Sequence, residues 1–164
     1  MPDTTEEYVV AIAASLGQYF IRRNRSVGLL AYGQSREIIQ PDRGERQTNR
    51  ILETLAVLRA KGQVPIENAL QAEIQLFPRG TTLIVVTPTY SDKWAAVARQ
   101  LSQRGLRVVS VLVNPASFGG SHSSATLAKL LQGNGIITYL VNCGDNLTVT
   151  LSTSPSRSNS YSFV

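Results

Sequence analysis

Oxygen-bearing side chains gather at Thr87-Pro88-Thr89-Tyr90-Ser91-Asp92, directly after the aliphatic run Leu83-Ile84-Val85-Val86. Hydroxyls with one carboxylate suit an oxygen shell for a hard cation such as Mg²⁺. They also suit polar anchors for a small ligand at the carboxyl end of a strand, where open α/β sheets place their sites. Thr87, Thr89, Ser91 and Asp92 are therefore the ligand-binding candidates. The simpler alternative is local, because Ser91 and Asp92 are also good helix-capping residues.

A second concentration of charge, Pro41-Asp42-Arg43-Gly44-Glu45-Arg46, marks Asp42, Arg43, Glu45 and Arg46 as candidates for an interaction loop. His122 is the one histidine. Any Ser-His-Asp machinery needs it, yet no G-x-S-x-G elbow occurs and no acid lies near it in sequence. The loop Gly119-Gly120-Ser121-His122-Ser123-Ser124 could hold an anion on its amides. It reads more simply as a flexible connector whose Ser124 caps the next helix. Cys143 has no local His or Arg to activate it and reads as a small residue at the core edge. Neither G-x-G-x-x-G nor G-x-x-x-x-G-K-[ST] is present, and no Cys/His spacing fits zinc. The residues thus assign no catalytic group, cofactor or metal, and the expectation is a protein that is not an enzyme.

The bulk properties bound the alternatives. A chain of 164 residues fits one domain that buries roughly two thirds of its unfolded surface. The formal charge of +5 and pI near 9.7 raise nucleic acid as a partner, but the charges are spread. Residues 1–62 hold nine Lys/Arg against seven Asp/Glu, and residues 63–164 hold seven against four. The one tight cluster, Arg22, Arg23 and Arg25, falls where a helix ends and cations complement its dipole. No nucleic-acid partner is assigned. A lone cysteine fits a reducing compartment. No apolar run nears the ~20 residues of a membrane helix, and the polar, acidic amino terminus is no signal peptide. The expected location is the cytoplasm.

The elements that position these residues follow from periodicity. Tyr8, Ile12, Leu16 and Phe20 recur every fourth residue behind Thr4 and Glu7, which are spaced as a capping box, and predict a helix to about Asn24. Val27–Gly33 and Arg36–Gln40, separated by two residues, predict an antiparallel hairpin. Ile51, Leu55 and Leu58 mark a helix ending at Lys61-Gly62. Ile66, Leu70, Ile74 and Phe77 mark another from Pro65 to Pro78. Then Leu83–Val86, Val108–Val113 and Ile136–Val141 alternate with helices centred on Trp94 to Leu101 and Leu127 to Leu131. This is the rhythm of parallel strands with helical crossovers, the first strand being buried on both faces. Leu147–Leu151 alternates like an edge strand, and the Ser-rich segment 152–164 reads as a disordered tail. The fold class is α/β, an open, mostly parallel sheet with helices on both faces. One domain covers residues 1–151.

This order of elements resembles a von Willebrand factor A domain. Glu7–Leu16, Val27–Gly33 and Pro41–Gln47 further resemble the carboxyl-terminal region of the bacterial domain of unknown function 58 family, over about residues 4–150. The resemblance implies an interaction or assembly module that partners a MoxR-type AAA ATPase. It also implies membrane association through an upstream segment or partner. The alternatives are a Mg²⁺-dependent adhesion-type binding domain and a small-ligand enzyme using Thr87 to Asp92. The metal site of such domains is not matched, since Gln63-Val64-Pro65 and Thr87-Pro88-Thr89 stand where a Thr and an Asp belong. The first strand is missing altogether. The expectations are that the chain starts partway through a fold, that another segment fills the gap, or that the sheet closes directly across it, and that isolated 1–164 is marginal in stability or a homo-oligomer.

Overall fold

A computed structural model describes residues 4–59, 64–147 and 150. The chain divides into two compact units, one amino-terminal, Glu6–Gln63, and one carboxy-terminal, whose main part starts at Val64. The expected tail, 152–164, and the expected helix end at Lys61-Gly62 lie outside the described residues.

The amino-terminal unit holds helix α1 (Thr5–Arg22), strands β1 (Val27–Tyr32) and β2 (Arg36–Asp42), and helix α2 (Glu45–Val57). Its core is Ile21, Ile39, Ile51 and Leu55, against which Val10, Ala13, Ala14, Val27 and Leu29 pack. These are the apolar stripes of both helices closing over one face of the hairpin. The hairpin is antiparallel, as its short connection requires. It runs two residues beyond the expected Gln40. The register steps from Val27↔Asp42 to Leu29↔Ile39, so β2 carries an extra residue near Pro41. A bulge of this kind tolerates a proline, which has no N–H to give to the ladder. Helix α2 stops at Val57, before the expected Lys61, because Leu58 turns to an extended φ of −67° and ψ of 134°.

The carboxy-terminal unit contains helix α3 (Ile66–Ala72), strand β3 (Thr82–Thr87), helix α4 (Lys93–Gln103), strand β4 (Arg107–Val113), helix α5 (Ala125–Gly133) and strand β5 (Ile137–Val141). Its three strands are parallel in the order β3-β4-β5, so the α/β class with a parallel sheet holds. Central β4 is the strand buried on both faces, with Val108 to Val113 all in the core. Strand β3 is an edge, and no strand pairs with its side away from β4 among the described residues. Leu83, Ile84 and Val86 are accordingly only half-buried, not enclosed as their sequence predicts. Helix α4 packs on β4 and α5 on β5, with Trp94, Leu101 and Leu131 fully buried. The Trp94 indole Nε1–H donates to Ser110 Oγ at 3.0 Å inside this core, which satisfies the one polar atom of a large apolar side chain. Burial pushes the Tyr139 phenol of β5 up.

Three helices end in the same way, and each end feeds a strand. Asn24, Gly105 and Gly135 hold positive φ values of 59°, 89° and 78°. Around them run the paired bonds Arg25 N to Phe20 O with Asn24 N to Ile21 O, Leu106 N to Leu101 O with Gly105 N to Ser102 O, and Ile136 N to Leu131 O with Gly135 N to Gln132 O. This is the Schellman pattern, which closes the last carbonyls and turns the chain sharply back. At the first of these ends Arg23 stacks over Tyr19, 3.9 Å from the ring centroid.

Other expectations give way. The helix predicted over Pro65 to Phe77 breaks at Glu73 (φ −105°, ψ 7°), and Ile74–Leu76 continues as a 3₁₀ turn. Leu130 is exposed on α5. Leu147 and Thr150 are helical, with Thr150 N donating to Asn146 O. An edge strand at 147–151 is thereby replaced by a helical turn at its described residues.

Candidate functional site

The candidate ligand residues lie together at the carboxyl end of β3, and their three hydroxyls are engaged by backbone N–H groups of the same loop. Thr87 Oγ1 accepts from Thr89 N at 3.2 Å, Thr89 Oγ1 from Ser91 N at 3.2 Å, and Ser91 Oγ from Lys93 N at 3.3 Å. Each hydroxyl is held by the backbone two residues on, the geometry of successive hydroxyl turns. The last of these bonds caps the start of α4, and it comes from Ser91. Asp92 lies in the helical region without a side-chain cap bond and is exposed.

The network continues across all three strand ends. Ser124 does not cap α5 through its hydroxyl. It is fully buried, and Ser124 Oγ donates to the Thr89 carbonyl at 2.8 Å while Ser124 N donates to Asn114 Oδ1 at 3.0 Å. The neighbouring Ser123 takes the capping position, its Oγ accepting from Ala125 N at 3.1 Å. Asn114, just past β4, donates from Nδ2 to Asn142 Oδ1 at 2.9 Å. Asn142 N in turn donates to Asp145 Oδ2 at 2.8 Å. Ser117 Oγ donates to Asn114 O and accepts from Cys143 N, both at 2.8 Å. The result is a polar brace from the β3 end through the β4 end to the β5 end. Asn114, Ser117, Asn142 and Asp145 were not among the sequence candidates, because a lone Asn or Ser after a strand reads as turn chemistry.

At the surface of this rim the Tyr90 and His122 rings stack, with centroids 4.3 Å apart and planes at 14°. His122 is exposed, as its loop position implies, whereas Cys143 is exposed rather than at the core edge. Among the described residues no group of three or more His, Cys, Asp or Glu side chains is arranged to hold a metal ion.

The charged turn behaves differently. Asp42 ends β2, and its Oδ1 accepts from Arg43 N at 2.8 Å. Gly44, at φ 88°, starts α2 without a side-chain cap. Asp42, Arg46, Gln47 and Arg50 line a cleft of about 200 Å³. Arg43 and Glu45 are exposed beside them and are not part of its lining. Gln47 is 1% exposed. Its Nε2 donates to Val27 O at 2.7 Å and to Gln40 O at 2.9 Å, pinning α2 to both strands of the hairpin. Its Oε1 is buried and has no hydrogen-bond partner among the described residues, a state that costs about 1–3 kcal/mol. Arg46 and Arg50 are exposed and stand one turn apart on α2, where like charges destabilise by about 0.2–0.5 kcal/mol. Among the described residues no hydrogen bond or ion pair engages either guanidinium. Arg50 was missed in the sequence because its i+4 relation to Arg46 matters only once the helix start is known.

A parallel α/β unit with a braced rim, preceded by a helix-hairpin-helix unit with a basic cleft, defines the class as a mixed α/β domain. The chain belongs to the DUF58 family: the family model described as "Protein of unknown function DUF58" matches residues 2–117. The match ends in the loop after β4, short of the residue-150 limit of the resemblance, so α5 and β5 fall outside it. No curated protein matches the chain. Among the described residues no helix is long and apolar enough to cross a membrane.

Proposed function

We propose that this chain is a non-catalytic interaction and assembly module. The observation that carries the reading is the brace: Thr87, Thr89, Ser91, Ser124 and Asn114 bond to one another's backbone and side chains. Groups that recognise a substrate point their donors and acceptors at it. Here the Thr87, Thr89 and Ser91 hydroxyls hold their own loop, and Ser124 and Asn114 fasten the three loops together. This favours a rigid scaffold, with binding carried by its charged surface, over a small-ligand enzyme or a Mg²⁺-dependent adhesion site at Thr87 to Asp92.

The family resemblance supplies the partner class, a MoxR-type AAA ATPase in the cytoplasm or at the membrane face. The exposed turn from Asp42 to Arg46 is the surface that offers itself to such a partner. The test is to mix the full chain with a MoxR-type ATPase from the same genome and follow the mixture by size-exclusion chromatography with light scattering. Co-elution and a changed rate of ATP hydrolysis are expected. Separate elution with an unchanged rate, at concentrations well above those of a functional complex, would sink the partnership. The same traces report whether the chain alone is a homo-oligomer.

A further inference from the structure

We infer that the cleft at the start of α2 is a docking site for an acidic peptide segment of a partner protein. The inference rests on the reading of the chain as an interaction module and adds the chemistry of what it holds. Arg46 and Arg50 line the cleft with their guanidiniums unengaged by any described residue. A guanidinium fork matches a carboxylate through two parallel N–H···O bonds. Spacing favours a particular arrangement of acids. Side chains one helical turn apart start about 5–6 Å from each other, and alternate residues of an extended peptide are about 6–7 Å apart. Acids at every second position of an extended segment therefore reach both forks from one side.

One further feature of the cleft selects a peptide over a phosphate polymer. Asp42 places a carboxylate beside the arginines, an acceptor that a peptide N–H can satisfy and a phosphate backbone, which carries only acceptors there, cannot. Two cationic forks beside an acceptor fit a ligand with acids and N–H donors on the same chain, which is a peptide.

The experiment is fluorescence anisotropy of a labelled alternating Glu-Ser peptide titrated with the full chain at about 50 mM and about 300 mM salt, since exposed ion pairs are screened over this range. Binding is expected to weaken at the higher salt, to be absent for a Gln-Ser peptide, and to fall about tenfold or more in the Arg46→Gln/Arg50→Gln double variant. Gln keeps good helix propensity, and circular dichroism checks that α2 persists. The exposed pair Arg99→Gln/Arg104→Gln is expected to leave the Kd unchanged. Wild-type affinity in the folded double variant overturns the site. Displacement of the peptide by an equal concentration of inorganic phosphate or oligothymidylate overturns the ligand class. A chain that binds the peptide through Arg46 and Arg50 but does not co-elute with the ATPase loses that partnership and keeps this inference; one that co-elutes but ignores the peptide loses the inference alone.

Discussion

The two units of this chain handle polar side chains in opposite ways. In the carboxy-terminal unit the hydroxyls and amides at the strand ends are turned on each other, and a run from Thr89 through Ser124 and Asn114 to Asn142 leaves its inner members with partners. In the amino-terminal unit a pair of cations around the start of α2 and the buried Gln47 amide oxygen have no partners among the described residues. Polar residues gathered at the customary ligand position of an α/β sheet are thus no guide to binding until their hydrogen bonds are traced. The position with fewer such residues is the one with bonding capacity to spare.

That contrast can be broken most severely at Asn114. Asn114→Ala removes the side-chain link from Asn114 to the β5 end, keeps the Ser117 bridge and the backbone bond to Val141, and leaves Ser124 N and Asn142 Oδ1 without these partners. A loss of about 2–3 kcal/mol is expected from two such bonds in a buried setting, read as a lower urea midpoint at constant slope. Ser124→Ala is expected to cost about 1–1.5 kcal/mol, since it deletes one bond to the Thr89 carbonyl and keeps the backbone bond to Asn114; a midpoint unchanged within error would show that the brace is ornamental. On the other unit the sign reverses. Arg50→Gln relieves a like-charge pair and is expected to leave stability unchanged or raise it by up to about 0.5 kcal/mol at low salt, with the gain fading as salt is added. The smallest effect is expected at Asp92. Asp92→Ala should change the thermal midpoint by less than about 0.5 kcal/mol equivalent, with or without millimolar Mg²⁺. Stabilisation by Mg²⁺ that disappears in this variant would revive the adhesion-site reading.

Much of the architecture was legible in the residues. The unbroken run Val108–Val113 announced a buried strand, and the two-residue spacing of the hairpin forced antiparallel pairing. Gly105 and Gly135 close α4 and α5 at positive φ, which few other residues accept. Periodicity could not show that β3 is an edge, because the same aliphatic run serves a central strand and a half-covered one. Nor could it show that Pro41 stays inside β2, since that depends on a bulge set by register. The brace was hidden for a related reason. Its members lie in separate loops, Ser124 contacting Thr89 across 35 positions and Asn114 meeting Asn142 across 28, and only the parallel sheet brings those loops to one end. Arg46 was visible as a charge in a turn, whereas its pairing with Arg50 required a helix that starts at Glu45.

Trp94 has a practical consequence for every one of these measurements. It is the only tryptophan in the chain, enclosed at 0% exposure and hydrogen-bonded to Ser110. Its fluorescence is therefore a local optical reporter within the carboxy-terminal unit: emission shifts to the red when the α4–β4 packing opens. A melt followed at this wavelength and one followed by helical circular dichroism sample different parts of the molecule, and any separation between the two curves measures how far the units unfold independently.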